Sequence, residues 1–157
     1  MRQIFIALLL STLAQSPTSP HRQSLPNLPV QRFVEDIRRK NIANVLSLYS
    51  PDAVFVDTTG HQYATPKALR KLYRQVFATY DSDLKLDLER IDVTGDITLP
   101  QATIVQRGSF DENLHTRGTK TIQRLCGHYT FAWMLQDNGR WLIQRMEWLS
   151  TTCPVNP

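Results

Sequence analysis

The chain is poor in the residues from which recognisable chemical centres are built. It has two cysteines and four histidines in 157 residues. No Cys-x-x-Cys motif is present. His21, His61, His115 and His128 show no metal-ligand spacing, so no metal is expected. The six glycines form no phosphate-cradling loop, and no nucleophile elbow occurs. Neither a nucleotide-type cofactor nor a Ser-His-Asp hydrolase is therefore supported, and no cofactor is expected. A strong charge of one sign is also missing. The net charge is only +4, and no nucleic-acid motif accompanies it. A charge of that size serves solubility, so no nucleic-acid partner is expected. After the first residues, no apolar run is long enough to cross a membrane, which takes about 20 residues.

What is present begins with an export-type leader. Arg2 supplies a positive start, and Ile4 to Leu10 is an unbroken apolar run. Thr12-Leu13-Ala14 is a small-x-small cleavage site ahead of Gln15. The rival Ala14-Gln15-Ser16 would put Pro17 just after the cut. A buried N-terminal helix is the alternative, but the run has no amphipathic period. No cysteine follows it that would carry a lipoprotein anchor. The expected organisation is a signal peptide over residues 1–14, a Pro/Ser-rich linker over 15–29 and one domain over 30–153. The mature protein is expected to be secreted or periplasmic, with no membrane association once the signal is removed. In an oxidising compartment Cys126 and Cys153 are expected to form a disulfide. Hydrophobic content of 41% and charged content of 20% suit a globular domain.

Helical periodicity starts after Pro29. Val30, Phe33, Val34 and Ile37 make one apolar face, and Ile42, Val45, Leu46 and Tyr49 make a second, short one. Thr65 and Pro66 read as N-cap and first residue of a third helix. Its stripe is Leu69, Leu72, Tyr73, Val76, Phe77 and Tyr80. Between helices two and three, Ala53 to Asp57 reads as a strand turned by Thr58-Thr59-Gly60. After helix three the period changes to two. Leu84, Leu86 and Leu88 alternate with charged residues, and a parity shift predicts a bulge near Arg90. Residues 102–110 read as a strand and 111–119 as a polar loop. Residues 120–136 and 140–150 read as a hairpin across Asp137-Asn138-Gly139-Arg140. The class is α+β.

Leu48-Tyr49-Ser50-Pro51-Asp52-Ala53-Val54-Phe55-Val56-Asp57 resembles the helix-to-strand signature of SnoaL-like proteins in the nuclear transport factor 2-like superfamily. Gly127 to Trp133, with Asp137-Asn138-Gly139-Arg140-Trp141, resembles that superfamily's last hairpin. The resemblance covers about residues 30–150. It implies a cone-shaped, curved antiparallel sheet wrapped around three N-terminal helices, with an apolar pocket open at one end. It also implies a homodimer through the outer sheet face. It does not specify function, because this fold hosts isomerases, dehydratases, cyclases and members without known catalysis.

Within that frame Asp57 matches the general base of the steroid isomerase branch. Burial beside an apolar pocket would raise its pKa. It could equally cap the turn over Thr58 and Thr59. The family's first-helix tyrosine appears here as Phe33, and its second acid falls near Tyr129 or Phe131. Alternation along the last hairpin turns Tyr129, Phe131 and Trp133 inward, facing Gln144, Met146 and Trp148. The register pairs Leu135 with Leu142, Trp133 with Gln144, Phe131 with Met146 and Tyr129 with Trp148. Phe77 is expected in the same wall. Tyr49, His61, Tyr63, Arg107, Tyr129 and Gln144 are candidates to supply polar groups, His61 by pairing with Asp57. Three readings compete: a pocket that binds a small apolar molecule, a cofactor-free isomerase, dehydratase or cyclase using Asp57, and a non-catalytic accessory or oligomerisation module.

Overall fold

The computed structural model describes residues 25–153. The expected signal peptide and the first part of the expected linker lie outside the described residues. The element order is α1 (Val30–Arg38), α2 (Ile42–Leu46), β1 (Tyr49–Val56), β2 (Gln62–Tyr63), α3 (Pro66–Thr79), β3 (Tyr80–Thr94), β4 (Thr103–Thr116), β5 (Ile122–Leu135) and β6 (Trp141–Thr151).

The helices begin where side chains satisfy their free amides. Thr65 Oγ1 accepts from the Ala68 N–H at 3.1 Å, with Pro66 as the first helical residue of α3. Asn41 caps α2 in the same way, through the Asn44 N–H. On α1 the buried positions are Phe33, Asp36 and Ile37, and on α3 they are Leu69, Tyr73 and Phe77. These faces pack on the sheet. Burying Phe33 completely, for example, contributes about 1.5–3 kcal/mol.

The six strands form one curved sheet in the order β2-β1-β6-β5-β4-β3. β3 to β6 are antiparallel, as hairpin connections require. β1 lies parallel to β6, so the sheet is mixed rather than wholly antiparallel. The reason is the connection: α3 and four strands separate the two, which is ample length for a parallel return. The expected bulge is present between Leu88 and Arg90.

Other stretches also differ from the sequence expectation. Tyr49 and Tyr80, expected on the second and third helical stripes, instead begin β1 and β3. The polar run expected as a loop over 111–119 is mostly strand, because β4 continues to Thr116 and pairs with both β3 and β5. Its polar residues are accommodated by partners such as Arg124, which is bonded to Asp111 at 2.6 Å. The β5–β6 register is as expected from Cys126↔Thr151 to Ala132↔Arg145, including Tyr129↔Trp148 and Phe131↔Met146. It then slips. Trp133 faces Ile143 and Leu135 faces Trp141, leaving Gln144 as a bulge. Ile143 takes the buried position that Gln144 would have filled, which spares an amide from an apolar core.

Two glycines shape the concave face. Gly108 faces Tyr129, and Gly127 faces Phe110. A Cβ on Gly127 would lie 1.9 Å from the Leu149 carbonyl oxygen and 2.8 Å from the Phe110 ring. Each missing side chain therefore makes room for the aromatic ring opposite. Beyond the outer side of the last hairpin, Cys126 and Cys153 form a disulfide with Cα atoms 5.1 Å apart.

Candidate functional site

Between the helices and the concave face lies a cavity of about 240 Å³. α1 contributes Phe33 and Ile37, and α3 contributes Leu72, Tyr73, Val76 and Phe77. The strands supply Phe55, Leu84, Phe110, Leu114, Leu125, Met146 and Trp148. Four lining residues carry oxygen: Asp57, Thr58, Tyr73 and Glu112. Trp148 Nε1 is buried with no acceptor among the described residues.

Asp57 follows β1 directly, so the strand delivers it to the cavity edge. Its turn is closed by the Gly60 N–H on the Asp57 carbonyl at 2.9 Å, with Gly60 at φ 83°. Asp57 Oδ1 accepts from the Thr59 N–H (2.9 Å), the Thr59 hydroxyl (2.6 Å) and the His61 N–H (3.1 Å). Its Oδ2 accepts from the Tyr63 hydroxyl at 3.1 Å. Asp57 thus caps the turn and lines the cavity at once. The expected rise in its pKa is corrected. Partial desolvation pushes it up, but the bonds from Thr59, His61 and Tyr63 outweigh this and hold it below the ordinary value.

Glu112 behaves in the opposite sense. It stands on β4 among apolar side chains, and burial pushes its pKa up against a 2.6 Å bond from the Ser82 hydroxyl. The third polar element is a tyrosine pair. Tyr49 and Tyr73 hydroxyls are 2.6 Å apart, and Tyr49 also donates to Met146 Sδ at 3.5 Å. Burial raises both phenols well above their usual range, so both stay protonated.

Five of the residues expected in the pocket line this cavity: Phe33, Asp57, Phe77, Met146 and Trp148. Tyr49 and Tyr63 reach it through Tyr73 and Asp57. His61 does not pair with Asp57 through its ring; only its backbone does, and the exposed imidazole sits edge-on to Tyr63 at 4.6 Å. Phe131 and Trp133 are fully buried core, stacked at 5.5 Å, with Trp133 Nε1 donating to Gln106. Tyr129 borders a separate cavity of about 260 Å³ between the segment 25–31 and the β3–β5 end of the concave face. Arg107 is half exposed and paired with Asp92, because its parity on β4 turns it outward. Gln144, on the bulge, bonds Ser50 and Asp52.

Glu112 and Tyr73 were not singled out from the sequence. Tyr73 was hidden in an apolar helical stripe. Glu112 shares parity with Gln106, Gly108 and Phe110, and extending that alternation past Phe110 would have pointed it inward.

Residues 30–142 match the family model of the SnoaL-like domain. Among proteins with curated functions, none matches the chain significantly. Solved structures with the same fold include a ketosteroid isomerase-like protein from Erwinia carotovora atroseptica, at 16% identity and TM-score 0.66, covering 79% of this chain and 92% of that one. A nuclear transport factor 2-like superfamily protein from Salmonella enterica serovar Typhimurium gives 16% and 0.65, covering 79% and 87%. A hexachlorocyclohexane dehydrochlorinase gives 15% and 0.63, covering 78% and 80%. At such identities the likeness is one of fold.

Proposed function

The chain belongs to the SnoaL-like domain family, and within it we propose a secreted or periplasmic pocket protein that binds a small, predominantly apolar molecule. The observation that carries this reading is the cavity of about 240 Å³ whose wall is apolar except for a few oxygen-bearing groups. Such a composition binds through burial and orients through a few polar contacts. The Cys126–Cys153 disulfide supports the compartment, since such bonds persist where the environment is oxidising. A homodimer through the outer sheet face is part of the same reading, and sedimentation showing only monomer at high concentration would remove it.

The test is a thermal-shift screen of the purified chain against aromatic, terpenoid and polyketide-like compounds. A ligand at 100 times its dissociation constant stabilises by about 2.7 kcal/mol, a readable shift in melting temperature. Absence of any shift across such a panel would reject the reading.

One observation favours a second reading, cofactor-free proton transfer of the isomerase, dehydratase or cyclase kind. Asp57 and Glu112 share the cavity with their pKa values pushed in opposite directions. Divergent pairs of this kind are how one site holds a base and an acid together. Turnover of a ligand found in the screen, abolished by Asp57→Asn, would establish it.

A further inference from the structure

We infer that the ligand is a small organic cation, an amine with an apolar body whose ammonium group sits against Glu112 and the aromatic wall. This rests on the pocket reading above and names its ligand class.

Among the described residues, the cavity is lined by two carboxyl side chains and by no lysine, arginine or histidine. Composition does not explain this, because the chain has 18 basic against 14 acidic residues. The two acids differ in how they are satisfied. Asp57 takes four hydrogen bonds from its own turn and from Tyr63. Glu112 accepts one, at Oε1 from Ser82, and its Oε2 has no partner among the described residues. Glu112 is half-buried, and a carboxylate partly withdrawn from water with one bond and no counter-charge is poorly compensated. A neutral hydrogen-bond acceptor would suit Glu112 only in its protonated form. An ammonium group supplies the opposite charge that Glu112 lacks, while Asp57 is already met by its four donors. Phe33, Phe55, Tyr73, Phe77, Phe110 and Trp148 border the same space. Aromatic rings attract cations through their quadrupole, and more strongly where water is excluded.

The groups around Glu112 make its titration readable. Its strand neighbours are Leu84 on β3 and Leu125 on β5. Ser82 is its hydrogen-bond partner, and Tyr73 on α3 feels its charge while remaining protonated. Asp57 is the other acid of the cavity, and it titrates below the ordinary carboxylate range. Bound ammonium favours ionised Glu112, so binding releases a proton when the free acid holds one. Affinity then falls as pH drops through the raised pKa of Glu112, before Asp57 titrates.

The experiment is calorimetric titration of the chain with phenethylamine, phenethyl alcohol and phenylacetate, compounds of similar body and different charge. The amine is expected to bind at least about tenfold more tightly than the alcohol, and phenylacetate most weakly. The advantage is expected to vanish in Glu112→Gln and at acidic pH, with heats that depend on the buffer's ionisation enthalpy. The introduced amide keeps an acceptor for Ser82, so the fold is expected to persist; the charge series on the unaltered chain decides the matter even if it does not. Equal binding of amine and alcohol, or a preference for phenylacetate, overturns the cation and leaves the pocket standing. Silence from all three beside a positive neutral ligand in the broad screen has the same meaning. Silence there as well overturns the pocket and this inference together.

Discussion

Replacing Asp57 by asparagine separates its structural role from its chemical one. In the native turn the carboxylate accepts four hydrogen bonds. Hydrogen bonds to a charged group contribute about 1.5–3 kcal/mol each, and neutral ones about 0.5–1.5. The asparagine side chain keeps an oxygen for the three donors on Oδ1, but its amide nitrogen faces the Tyr63 hydroxyl, which must turn round to accept. The site is only partly buried, so water replaces much of what is lost. The expected net cost is about 1–2 kcal/mol near neutral pH, a fall of roughly 3–10 °C in melting temperature for a domain of this size. The pH dependence follows from the lowered pKa of Asp57. A carboxylate with a lowered folded pKa contributes stability above its unfolded value, near 3.9, and that contribution is lost as pH falls through the folded value. The gap between the two proteins is therefore expected to be full near neutral pH and to shrink as pH falls through the folded value of Asp57. Urea denaturation of both across that range is the assay. Equal stability at neutral pH, or a gap that widens on acidification, would refute the reasoning.

Replacing both cysteines by serine is expected to cost about 3–4 kcal/mol, from reopening a loop that spans a sequence separation of 27, measured as a shift in denaturation midpoint. Tyr49→Phe and Tyr73→Phe each remove the same buried hydroxyl–hydroxyl bond; each is expected to cost about 1–2 kcal/mol, with the double variant costing clearly less than the sum. Additive costs would show that the pair does not act as one. Gly127→Ala is expected to destabilise by about 1–3 kcal/mol or more, because the added methyl meets the Leu149 backbone and the Phe110 ring; a neutral effect on the melt would contradict the packing. Glu112→Gln is expected to be more stable than the parent above the raised pKa of Glu112, where burying the charge is unfavourable, with the gain shrinking at acid pH. Destabilisation at neutral pH would show that the carboxylate is held by contacts beyond Ser82.

The sequence alone determined whatever depends on local chemistry. The apolar faces of α1 and α3, the Thr65-Pro66 start and the hairpin turn through Asn138-Gly139 all follow from the geometry of adjacent residues and stand in the fold, whereas the stripes overran their helices at Tyr49 and Tyr80 and the period-two run exposes Leu88. The Cys126–Cys153 pairing also stands, because the hairpin places the two within bridging reach. Only the tertiary structure decided what depends on partners far along the chain. The parallel contact of β1 with β6 joins residues from the two ends of the domain. The bulge at Gln144 arises because β1 and β5 both compete for its neighbours, with Ser50 and Asp52 drawing the amide out. Glu112 looked like part of a loop because its neighbours are polar, yet strands on both sides hold it in place. Asp57 was legible as a residue of interest, but the direction of its pKa was not. That sign is a balance between burial and four donors, and three of the donors count only once the turn has closed.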